Sequence, residues 1–105
     1  MTPDEFTQRE FTQRIIQSPR PSIVVFGITE ERTTRDTVQA AREFATGTTY
    51  RVHVIDIGHS AELAEEFLIM ASPTIVVIHQ GTPVAQATGS QSVEEIARLT
   101  AGAAQ

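Results

Sequence analysis

The sequence contains no cysteine and no lysine, and these two absences exclude several kinds of chemistry. Without cysteine the chain has no disulfide, no thiolate nucleophile and no cysteine ligand for zinc or an iron–sulfur cluster. Without lysine it has neither Schiff-base chemistry nor a phosphate-binding lysine of the P-loop kind. The 8 basic residues are outnumbered by 13 acidic ones, for a net charge of −5. This balance disfavours nucleic acids and anionic membranes as partners, because affinity for them comes from clustered positive charge.

Long apolar runs are absent as well. The longest, Ile23–Phe26 and Ile75–Ile78, are far too short to cross a bilayer. The segment Met1–Arg14 lacks the apolar core of a signal peptide. At 105 residues, 40% hydrophobic and 20% charged, the chain has the composition of a globular protein. We therefore expect a cytoplasmic protein that forms a single domain over residues 1–105.

The first 20 residues are predicted to form a helix and a linker ahead of a core at 21–101. Thr2, Pro3 and Glu5 have the types and spacing of a helix start. Phe11 and Ile15 stand four residues apart, which predicts that they face the core together. Prolines at 19 and 21 cannot continue the helix, so it should end near residue 18.

The core alternates strands and helices. The predicted elements are a strand at 21–28, a helix at 33–46, a strand at 51–57, a short helix capped by Ser60, strands at 74–79 and 82–88, and a helix opened by a Ser92–Glu95 capping box. A strand–helix–strand unit requires a parallel pair, and the Gln80-Gly81 turn predicts an antiparallel hairpin. The fold class is therefore α/β, in the order α-βαβ-α-ββα, with a mixed four-stranded sheet flanked by helices.

The short middle helix has two different sides. Leu63, Ala64, Phe67 and Met70 are spaced as a buried stripe, which predicts a helix reaching at least to residue 70. The opposite side carries Glu62 together with the glutamates at 65 and 66. These three glutamates are either an acidic contact patch or a solvated helix face, and the sequence favours neither.

The element order resembles that of thioredoxin-like proteins. In that fold a cis proline precedes the third core strand, and Ser72-Pro73 stands at this point here. We therefore expect Pro73 to be a structural cis proline, the alternative being a trans proline that starts the strand. Where thioredoxins carry a Cys-x-x-Cys pair, this chain has the cysteine-free segment Gly27–Thr33. Disulfide exchange requires a thiolate and is excluded.

A more extended resemblance covers residues 54–74. Three segments carry it: they are Val54-Ile-Asp-Ile57, Leu63-Ala-Glu-Glu66 and Ile69-Met-Ala-Ser-Pro-Thr74. In residue types and spacing, these segments resemble the KaiB family of bacterial circadian clock proteins and the sensor domain of SasA histidine kinases. The resemblance implies a module without catalytic residues, cofactor or metal that docks onto a KaiC-like ring ATPase or a related clock or signalling partner. The partner-binding residues it implies are Gly58, His59, Ser60, Glu62, Ser72, Pro73 and Gly89.

The chain departs from the KaiB pattern near its C-terminal end. Ser90 replaces the aspartate that usually follows the family glycine, and residues 79–83 replace a proline-rich stretch. The hairpin turn and the Ser92 capping box both favour the ββα arrangement locally. We therefore predict a fixed thioredoxin-like state and not a fold switcher.

Two classes of function remain open. An interaction module predicts an exposed surface that joins the loops Ile28–Arg32, Gly58–Ser60 and Ser72-Pro73. A cysteine-less accessory protein or chaperone predicts instead an apolar groove beside Pro73 that takes an extended client peptide.

No constellation supports an enzyme. Asp56 ends a buried strand, where desolvation could raise the pKa of a catalytic carboxyl; the alternative is a loop carboxylate bonded to backbone amides. His53, His59 and His79 lack the spacing of a metal site. We interpret His53 and His79 as strand-end residues.

Overall fold

The computed structural model describes residues 8–103. The elements are α1 (Gln8–Phe11), continued by a π-helical segment (Thr12–Ile16), β1 (Ser22–Gly27), α2 (Arg32–Ala45), β2 (Arg51–Asp56), α3 (Ala61–Glu66), β3 (Thr74–His79), β4 (Thr82–Thr88) and α4 (Val93–Ala103). This order confirms the predicted α-βαβ-α-ββα arrangement. The proposed helix start at Thr2, Pro3 and Glu5 lies outside the described residues. No helix in the described part is long and apolar enough to cross a membrane.

The four strands form one mixed sheet in the order β2-β1-β3-β4. β1 is parallel to β2 and antiparallel to β3, which is antiparallel to β4. The predicted parallel pair and hairpin are therefore confirmed. Gln80 and Gly81 form the hairpin turn with φ of 50° and 79°. Two positive φ values in succession match the twist of the flanking strands, and glycine adopts them without steric cost.

Helices cover both faces of the sheet, which explains why β1 is apolar along its length. Val24 and Phe26 pack on one face with Phe11 and Ile15, beneath α1, the π-helical segment and α3. The alternate β1 residues, Ile23 and Val25, pack on the other face beneath α2 and α4. The predicted docking of Phe11 and Ile15 is confirmed, since both are buried.

The short helix α3 differs from the prediction. Ser60 occupies its N-cap position, but its hydroxyl does not make the capping hydrogen bond. The helix ends at Glu66, and Leu68 adopts a φ of 56°. Met70 was predicted to be buried on the helix stripe, and this is wrong: it lies beyond the helix and is 90% exposed. Leu63 and Phe67 do face the core, as predicted.

The capping box that opens α4 is confirmed. The backbone N–H of Ser92 donates to Glu95 Oε1 at 3.0 Å, and the N–H of Glu95 donates to Ser92 Oγ at 3.1 Å. Ile96 on this helix is fully buried against the sheet. These bonds satisfy two amides that would otherwise lack partners, and so they fix where α4 begins.

A buried hydroxyl at the start of β1 yields a stability prediction. Ser22 is fully buried, and its Oγ has no hydrogen-bond partner within the part of the chain that the structure describes. Such a group costs about 1–3 kcal/mol of desolvation. We expect Ser22→Ala to raise the free energy of unfolding by about 1 kcal/mol, measured by urea denaturation. A loss of stability would contradict this and would indicate that the hydroxyl is bonded in solution.

Candidate functional site

Three loops meet at one end of the sheet. The carboxyl ends of β1 and β2 lie side by side, with Gly27 opposite Asp56. The amino end of the antiparallel β3 lies beside them, with Thr74 opposite Phe26. The loops that leave or enter the strands here are Ile28–Arg32, Gly58–Ser60 and Ser72-Pro73. We call them together the three-loop surface.

The hydroxyl of Ser72 connects the third loop to the first. Its Oγ donates to Glu31 Oε1 at 2.8 Å and accepts from the backbone N–H of Ile28 at 3.0 Å. Thr34 Oγ1 lies 3.3 Å from the same oxygen. Because the single Ser72 proton is used toward Glu31, Thr34 must be the donor in this third contact. The two loops are therefore held together around one oxygen atom.

Asp56 connects the first loop to the second. One carboxylate oxygen accepts from the backbone N–H of Thr29 at 3.2 Å and from its hydroxyl, and the other accepts from the N–H of Gly58 at 2.8 Å. The Thr29 hydroxyl is the main cause that lowers the pKa of Asp56 below its ordinary value; burial opposes it, and the two backbone N–H groups and His59 add to the lowering. The alternative of a raised pKa is wrong, and Asp56 is a loop carboxylate bonded to backbone amides.

The loop that carries Pro73 has the predicted geometry. The Ser72–Pro73 peptide bond is cis. The Pro73 carbonyl accepts from the N–H of Gly89 at 2.8 Å, and Gly89 adopts a φ of 86°. The structure therefore places Gly89, at the end of β4, directly beside the three-loop surface.

The predicted partner-binding residues differ in their exposure. Gly58, His59 and Glu62 are exposed, and Ser72 and Gly89 are partly exposed. Ser60 is only 5% exposed, and Pro73 is also buried. A partner on this surface would therefore touch chiefly the exposed members, while Ser60 and Pro73 shape the loops from beneath.

Two exposed apolar residues close in sequence to this surface were not predicted as contacts. Leu68 is 76% exposed and Met70 is 90% exposed, and both precede the Ser72-Pro73 loop. Ile28, which belongs to the predicted first loop, is also exposed. Nothing in the sequence marks the first two, because Met70 continues the apolar spacing of α3.

The histidines are spread over the molecule. His53 lies within β2 and not at its end, and burial, followed by the charges of Arg51 and Arg14, lowers its pKa. His79 does end β3, as predicted, and its Nε2 lies 2.8 Å from the Tyr50 hydroxyl. Among residues 8–103, no group of three histidine, aspartate or glutamate side chains is arranged to hold a metal ion.

Comparison with solved structures decides the fold. A point mutant of a thioredoxin from Halobacterium salinarum matches with a TM-score of 0.85 and 19% identity, over 100% of this chain and 96% of its own. The fold is thioredoxin-like. The Plasmodium falciparum thioredoxin matches with a TM-score of 0.78 and 22% identity, over 90% of this chain and 92% of its own. A designed protein matches with a TM-score of 0.83 and 18% identity, over 93% of this chain and 92% of its own.

At these identities the likeness concerns the fold alone. No family model and no curated protein sequence matches the chain. The solved structures confirm the thioredoxin-like part of the predicted resemblance. Because the sequence has no cysteine, this thioredoxin-like fold does not support disulfide exchange.

Proposed function

We propose that the protein is a non-catalytic protein-binding module whose three-loop surface docks onto a KaiC-like ring ATPase. The observation that carries this proposal is the set of hydrogen bonds that converge on Ser72 and on the Asp56 carboxylate and join all three loops. Surfaces that are already ordered lose less entropy on binding, and so they bind partners more tightly. The choice of partner comes from the KaiB-like sequence pattern at residues 54–74.

The exposed side chains suit a protein partner. Leu68 and Met70 offer apolar contact area, and the exposed His59 and Glu62 offer polar contacts. An apolar centre with a polar rim is the usual anatomy of a protein interface.

The same hydrogen bonds argue against catalysis at this surface. The Ser72 oxygen accepts from Ile28 and from Thr34, so both of its lone pairs are engaged and it is a poor nucleophile. Asp56 has a lowered pKa, so it stays ionised at neutral pH and cannot act as a proton donor.

Binding to a purified hexameric KaiC-type ATPase, measured by biolayer interferometry in ATP and then in ADP, tests the proposal. We expect the native protein to bind in at least one nucleotide state. Met70→Glu should weaken the affinity about tenfold or more, since a charge at an apolar contact is costly. His59→Ala should weaken it less, because it removes only a polar contact at the rim. Both side chains are exposed, so the melting temperature should change little.

Val84→Glu is the matched control. Val84 is an exposed apolar residue on β4, away from the three loops, so its replacement should leave the affinity unchanged. Absence of binding in both nucleotide states would refute the KaiC-like partner. Equal effects of Val84→Glu and Met70→Glu would refute the location of the surface.

A second function is favoured by the apolar segment before the cis proline. Leu68 and Met70 could serve an accessory protein or chaperone that binds an extended apolar client. In that case a labelled apolar peptide should bind the native protein, and Met70→Glu should reduce that binding, with no binding to the KaiC-type ring.

A further inference from the structure

The strand β2 is an edge of the sheet whose outer backbone groups face away from β1. Among the described residues β2 pairs with β1 alone. The N–H of Arg51 donates to the carbonyl of Pro21, just before β1, at 3.0 Å. The N–H of Ile57 donates to the carbonyl of Gly27, at the end of β1, also at 3.0 Å. In a parallel ladder, alternate residues bond to the same neighbour, so Val52 and Val54 direct their N–H and C=O groups outward. These groups are a template for another strand.

A groove flanks this edge on each face of the sheet. The groove on the α1 side, of about 660 Å³, is lined by Arg14, Arg20, Arg51 and His53 among others. The groove on the α2 side, of about 390 Å³, is lined by Arg35, Arg42, Val38 and Val54 among others. A strand added to β2 would direct its side chains alternately into the two grooves, because successive side chains point to opposite faces.

The arginines are concentrated along this edge. Of the chain's 8 basic residues, five line the two grooves: Arg14, Arg20, Arg35, Arg42 and Arg51. All five side chains are exposed. None of the described residues that line these grooves is acidic, although the chain as a whole carries a net charge of −5. The edge is thus a positive strip on an acidic protein.

We propose that the β2 edge binds an extended acidic segment of a partner protein by strand addition. The partner's backbone pairs with Val52 and Val54, and its carboxylates reach the arginines in the two grooves. Charge-assisted bonds from a guanidinium to a carboxylate are short, directional and among the strongest polar contacts in proteins. The groove on the α2 side adjoins the three-loop surface at Thr29, but this proposal does not rest on the ATPase contact.

Two other occupants fit the edge less well. A second copy of this chain, paired through the same edge, would bring two rows of arginines together, and like charges repel. A single-stranded nucleic acid usually stacks its bases on aromatic rings. None of the described residues that line the two grooves is aromatic.

Fluorescence anisotropy tests the proposal with a labelled peptide in which pairs of glutamates alternate with pairs of valines, so that glutamates lie on both faces of the added strand. We expect saturable binding that weakens as salt is added, and no binding of a peptide in which lysine replaces glutamate. Arg42→Glu and Arg51→Glu, one for each groove, should each weaken binding about tenfold. The matched control is Arg98→Glu on α4, which makes the same charge change outside both grooves and should bind like the native protein.

The strand pairing has a separate test. The amide of Val54 faces outward, so Val54→Pro removes a donor from the edge without removing a bond to β1. We expect this variant to keep its circular dichroism spectrum and to bind the peptide at least tenfold more weakly. If it fails to fold, hydrogen exchange in the native protein decides the matter. The amides of Val52 and Val54 should then become protected when the peptide is added.

The absence of peptide binding would overturn the proposal and would leave the arginines as guards against edge aggregation. Equal weakening by Arg98→Glu, unchanged exchange at Val52 and Val54 in the peptide complex, or a concentration-dependent dimer that excludes the peptide would also overturn it. Displacement of bound peptide by a labelled oligonucleotide of higher affinity would assign the strip to nucleic acid instead.

Discussion

Replacing Gly27 with alanine is expected to lower the free energy of unfolding by about 1–3 kcal/mol, the usual cost of overpacking a filled core. A Cβ at this position would lie 2.6 Å from Thr34 Oγ1, 2.7 Å from Thr34 Cγ2 and 3.2 Å from Ser72 Oγ. Gly27 is the last residue of β1, directly before the three-loop surface. Its missing side chain is what allows β1 to approach the start of α2 so closely. Urea denaturation measures the loss.

Rotation of the Thr34 side chain cannot relieve this clash. The two branches of threonine fill two of the three staggered positions around χ1, so each rotamer keeps at least one of the two clashing positions occupied. Thr34→Ala removes both branches. We therefore expect the double variant Gly27→Ala, Thr34→Ala to be more stable than Gly27→Ala alone, even though it loses the contact with Ser72.

Gly102 provides a matched control for this prediction. It lies in α4, and a Cβ there would meet nothing within 4 Å. Alanine is the better helix former, so Gly102→Ala should raise stability by about 0.5–1 kcal/mol. If Gly27→Ala and Gly102→Ala changed the free energy of unfolding in the same direction, the close approach at Gly27 would not explain the result, and the steric argument would fail.

Much of the fold follows from local patterns in the sequence. The bounds of β3 and β4 agree with the prediction, because Thr74–His79 is apolar, Thr82–Thr88 alternates, and Gln80-Gly81 supplies the turn. The capping box at Ser92 was predicted for the same reason. In both cases the residue types that determine the geometry lie within a few positions of one another. The cis bond at Pro73 was predicted instead from the resemblance to thioredoxin-like proteins.

The parts that were missed depend on contacts between distant segments. Ser72 and Glu31 are 41 positions apart, and no periodicity relates them. The end of α3 was missed for a different reason. Its last turn contains neither glycine nor proline, and it is Leu68, a residue that seldom adopts positive φ, that turns the chain there. This turn leaves Met70 exposed beside the three-loop surface.

The site residues named from the KaiB-like pattern were predicted correctly in their position along the chain but not in their exposure. Their positions along the chain come from sequence spacing, and the structure does bring Gly58, Ser72 and Gly89 to one end of the sheet. Which of them can touch a partner depends on burial. Ser60 is 5% exposed because the turn after β2 directs it inward, and the sequence has no signal for this.

Asp56→Ala is expected to destabilise the protein by about 2–4 kcal/mol at pH 7, because the substitution leaves several donors without their acceptor. These donors are the hydroxyl and N–H of Thr29 and the N–H of Gly58. Their loss should also separate the first loop of the three-loop surface from the second. Chemical denaturation at pH 7 gives the stability, and the amide exchange rates of Thr29 and Gly58 report the loops.

The pH dependence distinguishes this account from simple loss of packing. The pKa of Asp56 is lowered in the folded protein, so the folded state favours the carboxylate. The resulting stabilisation is complete well above the unfolded pKa of about 3.9, and it is lost as the pH falls through the lower folded value. The stability difference between the native protein and Asp56→Ala should therefore shrink below about pH 4. His59→Ala is the control: its Nδ1 lies 3.8 Å from the carboxylate and its side chain is 54% exposed, so it should change stability little at any pH. A difference that stayed constant from pH 7 to about pH 2 would mean that the charge of Asp56 does not hold the loops together.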